Sequence, residues 1–178
     1  PCVKLLIPVS DPKAQKSEAL RQAAEGGHTE CVKMLIPVSD PQAFDGDALE
    51  VAAQGGHVGC VELLLPYANT AAHGSKALIA AARYGYTECV KLLIPRSNPK
   101  EQNSFALQLA LVRSHEECAF LLWEHSDVEQ ILAWIVAHEA HAAHALWQQT
   151  QARFQKNVLE QTLMPQQTDV QRRSIRKI

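Results

Sequence analysis

Three histidines stand three residues apart at His138, His141 and His144, with Glu139 among them. Imidazoles and a carboxylate are ligands for zinc and for a zinc-activated water, so this stretch is where metal chemistry has to be sought. The order His138-Glu139-Ala140-His141 is not the zinc-protease pattern, which places two residues between the glutamate and the second histidine. Neighbours three apart can share one helical face. The outer two differ by about 120° around a helix, so all three do not meet one ion. A packed or solvated histidine cluster is the expectation, and a metal-dependent enzyme built on it is the weaker alternative.

A second set of reactive side chains obeys a different rule. Cys2, Cys31, Cys60, Cys89 and Cys118 are each 29 residues apart. Equivalent positions on stacked helices lie about 8–10 Å apart, whereas a disulfide needs α-carbons within about 7 Å. The ladder is therefore expected to hold reduced, mostly buried thiols acting as small apolar side chains. Reduced thiols suit a cytosolic setting. His28, His57 and His115 recur in the same phase, with Tyr86 in the remaining place. A residue needed once by chemistry would not return once per period; these rings are expected to hydrogen-bond a connector and hold a turn. The sequence has no glycine-rich phosphate loop, nucleophile elbow or complete metal motif, so no catalytic residue, cofactor or metal site is assigned.

The period points to the elements that carry these side chains. Residues 11–39, 40–68, 69–97 and 98–126 are four successive units, and residues 1–10 are the back end of another. The chain opens in mid-unit without methionine, as expected of a piece of a longer protein. In each unit one helical pattern carries small residues: Ala19, Leu20, Ala23 and Ala24, then Ala48, Leu49, Ala52 and Ala53, then Ala77, Leu78, Ala81 and Ala82. Spacings of three and four put them on one face, and their size lets helix backbones approach. Ser17, Ser75 and Ser104 precede the run and are expected as N-caps. Gly27, Gly56 and Gly85 follow it, where a helix end favours positive φ. A second pattern, Cys31 to Ile36 and its equivalents, ends at Pro37, Pro66 and Pro95.

The residues Ala48-Leu49-x-x-Ala52-Ala53-x-x-Gly56-His57, followed by Cys60-Val61-Glu62-Leu63-Leu64-Leu65, resemble the ankyrin repeat, and Ala19 to Ile36 match as well. The resemblance covers residues 1 to about 125 and recurs in phase. It implies an all-α solenoid of helical pairs that binds proteins on its concave face and is not an enzyme. The usual unit is about 33 residues. The shortfall here lies in the connector, so tight turns replace the long β-hairpin finger and almost no strand is expected. Glu18-Ala19, Asp47-Ala48, Lys76-Ala77 and Phe105-Ala106 stand where the family has Thr-Pro. Similar short units occur in bacterial ankyrin-like arrays, which leaves open two roles: part of an effector acting in host cytosol, or an antagonist such as an immunity protein blocking a toxin.

With a net charge of −2 and a pI near 6.5, the composition makes no case for nucleic acid, and no apolar run is long enough to span a membrane. Oligomeric state and partner identity are not legible. Positions that differ between units on the first helix and its connector are free to serve a partner. They are Lys16, Glu18, Arg21, Gln22 and Glu25; then Phe44, Asp45, Asp47, Glu50 and Gln54; then His73, Lys76, Ile79, Arg83 and Tyr84. The preferred partner-binding set is Phe44, Asp45, Asp47, Glu50, Arg83 and Tyr84, because exposed aromatics and arginine dominate binding energies. Its acidic middle suits a basic partner.

The fifth unit turns apolar, with Phe105, Leu109, Leu111, Val112, Phe120 and Trp123, as a terminal unit needing cover does. Ser126 to Glu129 has capping-box spacing. The expected organisation is a repeat array over 1–126, a capping helix or helices over 127–164, and a polar basic tail over 165–178, with Pro165 after the helix. One long helix, or two with a bend, both satisfy the pattern.

Overall fold

The computed structural model describes residues 18–41, 43–67, 70–138 and 141–175, and within these the side chains outside 43–46, 70–74, 101–103 and 162–175. Cys2, Lys16 and Ser17 lie outside the described residues. Each unit forms a helical pair: α1 (Glu18–Glu25) with α2 (Thr29–Leu35), α3 (Ala43–Gln54) with α4 (Val58–Leu64), α5 (Thr70–Tyr84) with α6 (Thr87–Leu93), and α7 (Glu101–Val112) with α8 (Glu116–Trp123). The extension adds α9 (Val128–Ala137) and α10 (His141–Ile175). Among the described residues there is no strand, so the expected all-α array of helical pairs is the fold.

The first helices α1, α3, α5 and α7 pack side by side in one row, and α2, α4, α6 and α8 form the second. Ala52, Ala53, Ala81, Ala82 and Ala110 are buried in the first row, where side chains this small let the helices approach closely. Leu20, Leu78, Leu107, Val32, Val61 and Val90 are fully buried and recur with the period, so each unit buries its apolar face against the next rather than in a central core. Cys60, Cys89 and Cys118 are buried and Cys31 half-buried, all as free thiols. Thr29 Oγ1 lies 3.7 Å from Cys60 Sγ, and Thr87 Oγ1 3.6 Å from Cys118 Sγ, so the ladder is sealed unit to unit. Burial pushes the Cys60, Cys89 and Cys118 thiols up, Cys89 to about 11, which holds these three protonated.

The turn between paired helices explains the recurring rings. Gly56 adopts φ +70° and Gly27 φ +68°, a left-handed conformation that glycine takes without cost. The ring of the next unit sits directly on each: a Cβ at Gly27 would meet the His57 ring, and one at Gly56 the Tyr86 ring, both at 2.5 Å. His57 Nε2–H donates to the Glu25 carbonyl (2.9 Å), and His115 Nε2–H to the Arg83 carbonyl (3.0 Å). The rings therefore satisfy the carbonyl end of the preceding unit's first helix, a contact between units, and not the connector of their own.

The serines differ from expectation. Ser75 and Ser104 lie inside α5 and α7, because the connector residues before them wind into the helix and move its start upstream. They join units instead. Ser75 Oγ donates to the Asn98 carbonyl (3.4 Å), and Ser104 Oγ accepts from the Asp127 N–H (2.8 Å). Ser104 has a φ of +61°.

In the extension α9 and α10 both pack on α7, and α10 also on α8. Trp147 meets Trp123 with ring centroids 5.6 Å apart. Arg153 lies over the Phe120 ring at 4.2 Å and donates to both Glu117 carboxylate oxygens at 2.8 and 3.1 Å. Four details decide or correct the sequence reading. Asp127, not Ser126, caps α9, with its carboxylate accepting from Gln130 N–H. Of the two patterns that fit the extension, one helix or two, the chain takes two, with α9 closed by His138 as its C-cap. Val112 is 44% exposed, so the extension that packs on α7 leaves it uncovered. Finally, α10 continues through Pro165 to Ile175, because losing one N–H does not stop a helix whose other bonds are intact.

Candidate partner-binding face

The histidines of the extension turn to separate neighbours, and Glu139 lies outside the described residues. His138 ends α9; its Nδ1–H donates to the Trp134 carbonyl (2.9 Å) and its ring stacks on Trp134 with centroids 4.9 Å apart. His144 turns to Trp147 and Gln148. Among the described residues no group of three or more His, Cys, Asp and Glu is placed to hold a metal ion.

The first-helix row carries a groove of about 320 Å³ spanning three units. The third unit contributes Glu50 and Gln54 from α3, the fourth Lys76, Ile79, Arg83 and Tyr84 from α5, and the fifth Phe105 from α7. Residues 76, 79 and 83 share one helical face by their spacing of three and four. Tyr84 is 43% exposed, yet it is held on two sides: Gln54 Nε2 donates to its hydroxyl (3.4 Å), and the Tyr86 ring lies 6.3 Å away. An exposed aromatic fixed in this way loses little freedom when a partner covers it.

Of the expected partner-binding residues, Glu50, Arg83 and Tyr84 thus line one groove. Asp47 stands beside it, half-buried, with its carboxylate 3.9 Å from the Arg21 guanidinium. Phe44 and Asp45 lie on α3, but their side chains fall outside the described ones. Phe105, which lines the groove, and the exposed Val112 stand outside the expected binding set; from the sequence both count as apolar surface that needs a cap. The signal that finds them is phase: Phe105 is in step with Asp47 and Lys76, and Val112 with Gln54 and Arg83.

The near end of the face is an ion network. Arg21 donates to both oxygens of Glu18 (2.9 and 2.7 Å) and to Glu25 (3.1 Å). The Arg21 hydrogen bond, helped by Gln22, holds Glu18 down at about 2. All these groups face water, so the network sets the charge pattern more than stability. Among the described residues no helix is long and apolar enough to cross a membrane.

A family model described as ankyrin repeats (3 copies) matches residues 1–73 and 49–131. No curated protein matches the chain. Ankyrin repeats are generally protein–protein interaction modules and typically non-enzymatic scaffolds. The matched residues take in every helical pair of the array, and on that coverage the chain belongs to the ankyrin-repeat family.

Proposed function

We propose that this chain is a non-enzymatic module that holds a protein partner on its first-helix face, with Glu50, Arg83 and Tyr84 as contact residues and Phe44, Asp45 and Asp47 beside them. The observation that carries the reading is the groove across α3, α5 and α7, in which an arginine and a held tyrosine stand exposed together. Arginine and tyrosine supply much of the energy of protein interfaces. Interlocked units keep the face rigid, so binding loses little to ordering. Free, buried thiols fit a reducing, cytosolic setting. Either role raised by the resemblance, effector arm or toxin antagonist, would use this same face.

The test is a paired affinity capture from source lysate with mass spectrometry. One bait is the parent chain; the other carries alanine at Phe44, Asp45, Asp47, Glu50, Arg83 and Tyr84. A protein retained by the parent and lost by a variant of equal thermal stability supports the reading. Equal retention by both baits overturns it.

A further inference from the structure

Three positions of the first helix recur at 29-residue steps: Glu18, Asp47, Lys76 and Phe105; Arg21, Glu50, Ile79 and Gln108, the last of them buried; and Glu25, Gln54, Arg83 and Val112. Their chemistry changes in order along the array. The second unit offers two carboxylates around one guanidinium, satisfied within itself. The third offers the carboxylates of Asp47 and Glu50, and Arg21 reaches only Asp47, at 3.9 Å. In the fourth, Lys76 and Arg83 flank Ile79 with no carboxylate on that face. Among the described residues no ion pair involves either cation. The fifth offers no charge: Phe105 edges the groove and Val112 is 44% exposed.

We infer that the partner presents a segment whose side chains run cationic, anionic and apolar along the array, with its carboxylate between Lys76 and Arg83 and its apolar side chain on Phe105. This deepens the reading above and rests on it. Charge complementarity places the carboxylate: Glu50 lines the same groove, yet among the described residues Lys76 and Arg83 form no ion pair, so an incoming anion can give both of them charge-assisted hydrogen bonds. Repulsion sets the direction. Units are about 8–10 Å apart, and the screening length at physiological salt is about 8 Å. The field of each zone is therefore weakened at the next, and a segment lying in reverse would bring its apolar group onto Asp47 and Glu50. A nucleic acid carries phosphates at every step and would meet those same carboxylates, so the pattern selects a protein segment of mixed charge.

The test is a random-peptide display library selected on the full chain and, in parallel, on the Lys76→Glu/Arg83→Glu variant. Both positions are exposed, and thermal unfolding of each variant should match the parent. Peptides selected on the parent are expected to carry Asp or Glu between a basic and an apolar residue. Arg83→Ala should weaken them about tenfold, the scale of one charge-assisted hydrogen bond. The reversed variant should select Lys or Arg at the same place. Acid-free peptides on the parent, or acidic peptides that bind the reversed variant equally well, overturn the inference. If those peptides still lose binding on Tyr84→Ala, only the charge order is wrong; if they ignore Tyr84→Ala as well, the face itself is wrong.

Discussion

Gly56→Ala tests how the units interlock. Two costs add at this residue. Its φ of +70° is left-handed, which costs an L-residue about 1–2 kcal/mol. The new Cβ would also stand 2.5 Å from Cδ1 and Cε1 of the Tyr86 ring, so the ring must leave its seat. Overpacking of this kind costs roughly 1–3 kcal/mol. The sum is about 2–5 kcal/mol, a large part of the ~5–15 kcal/mol that holds a domain folded. A second variant separates the terms. With Tyr86→Ala in the background the overlap is gone, and the loss on Gly56→Ala should shrink to the backbone share of about 1–2 kcal/mol. Urea unfolding is followed by far-ultraviolet circular dichroism, which reports every unit. Tryptophan fluorescence reports the far end, since Trp123, Trp134 and Trp147 lie in the fifth unit and the cap. Ser114 already holds φ +59° in the fifth unit, so Ser114→Ala serves as a control that should change little. A loss on Gly56→Ala below about 0.5 kcal/mol, or one that Tyr86→Ala leaves untouched, would refute the ring-on-glycine account.

Two further outcomes are expected. Truncation after Ser126 removes the buried Ile131, Ile135 and Leu146 and uncovers Trp123; at roughly 1.5–3 kcal/mol per large apolar side chain, the loss should be several kcal/mol, seen as a lower unfolding midpoint and dye binding, and a cut chain as stable as the parent would show that α9 and α10 are not a cap. Glu18 should titrate near 2 by carboxyl NMR, against an ordinary 4.5; as a depressed acid it contributes stability above its unfolded pKa, lost as pH falls from 4.5 through 2, and a midpoint that Arg21→Ala does not raise would break the assigned hydrogen bond.

Much of the array is legible from its period. The Ala-Leu and Val-Leu-Leu spacings give the helical pairs, and the prolines mark where second helices stop: Pro37 and Pro95 each sit in the 3₁₀ turn that follows. The misses share a cause. Ser104 looks like an N-cap from its neighbours, yet its hydroxyl answers to Asp127, 23 residues on. Ser126 looks like the cap of α9, but Asp127 brings its carboxylate within reach of Gln130 N–H instead. Val112 looks like buried surface, yet the extension leaves it 44% exposed.

What the sequence by itself determined is the unit: two short helices, a glycine turn, a thiol ladder, and surface positions free to vary. Those follow from local propensity and from a pattern repeated in phase, which need no knowledge of neighbours. Only the tertiary structure decided what meets across units. His57 reaches Glu25 over 32 residues, Gln54 reaches Tyr84 over 30, and Arg153 reaches Glu117 over 36. Such offsets depend on how far one pair is shifted and turned against the next. That shift is set by the fit of small buried side chains and by rings seated on glycines, and the groove that joins Glu50, Lys76, Tyr84 and Phe105 exists only once it is made.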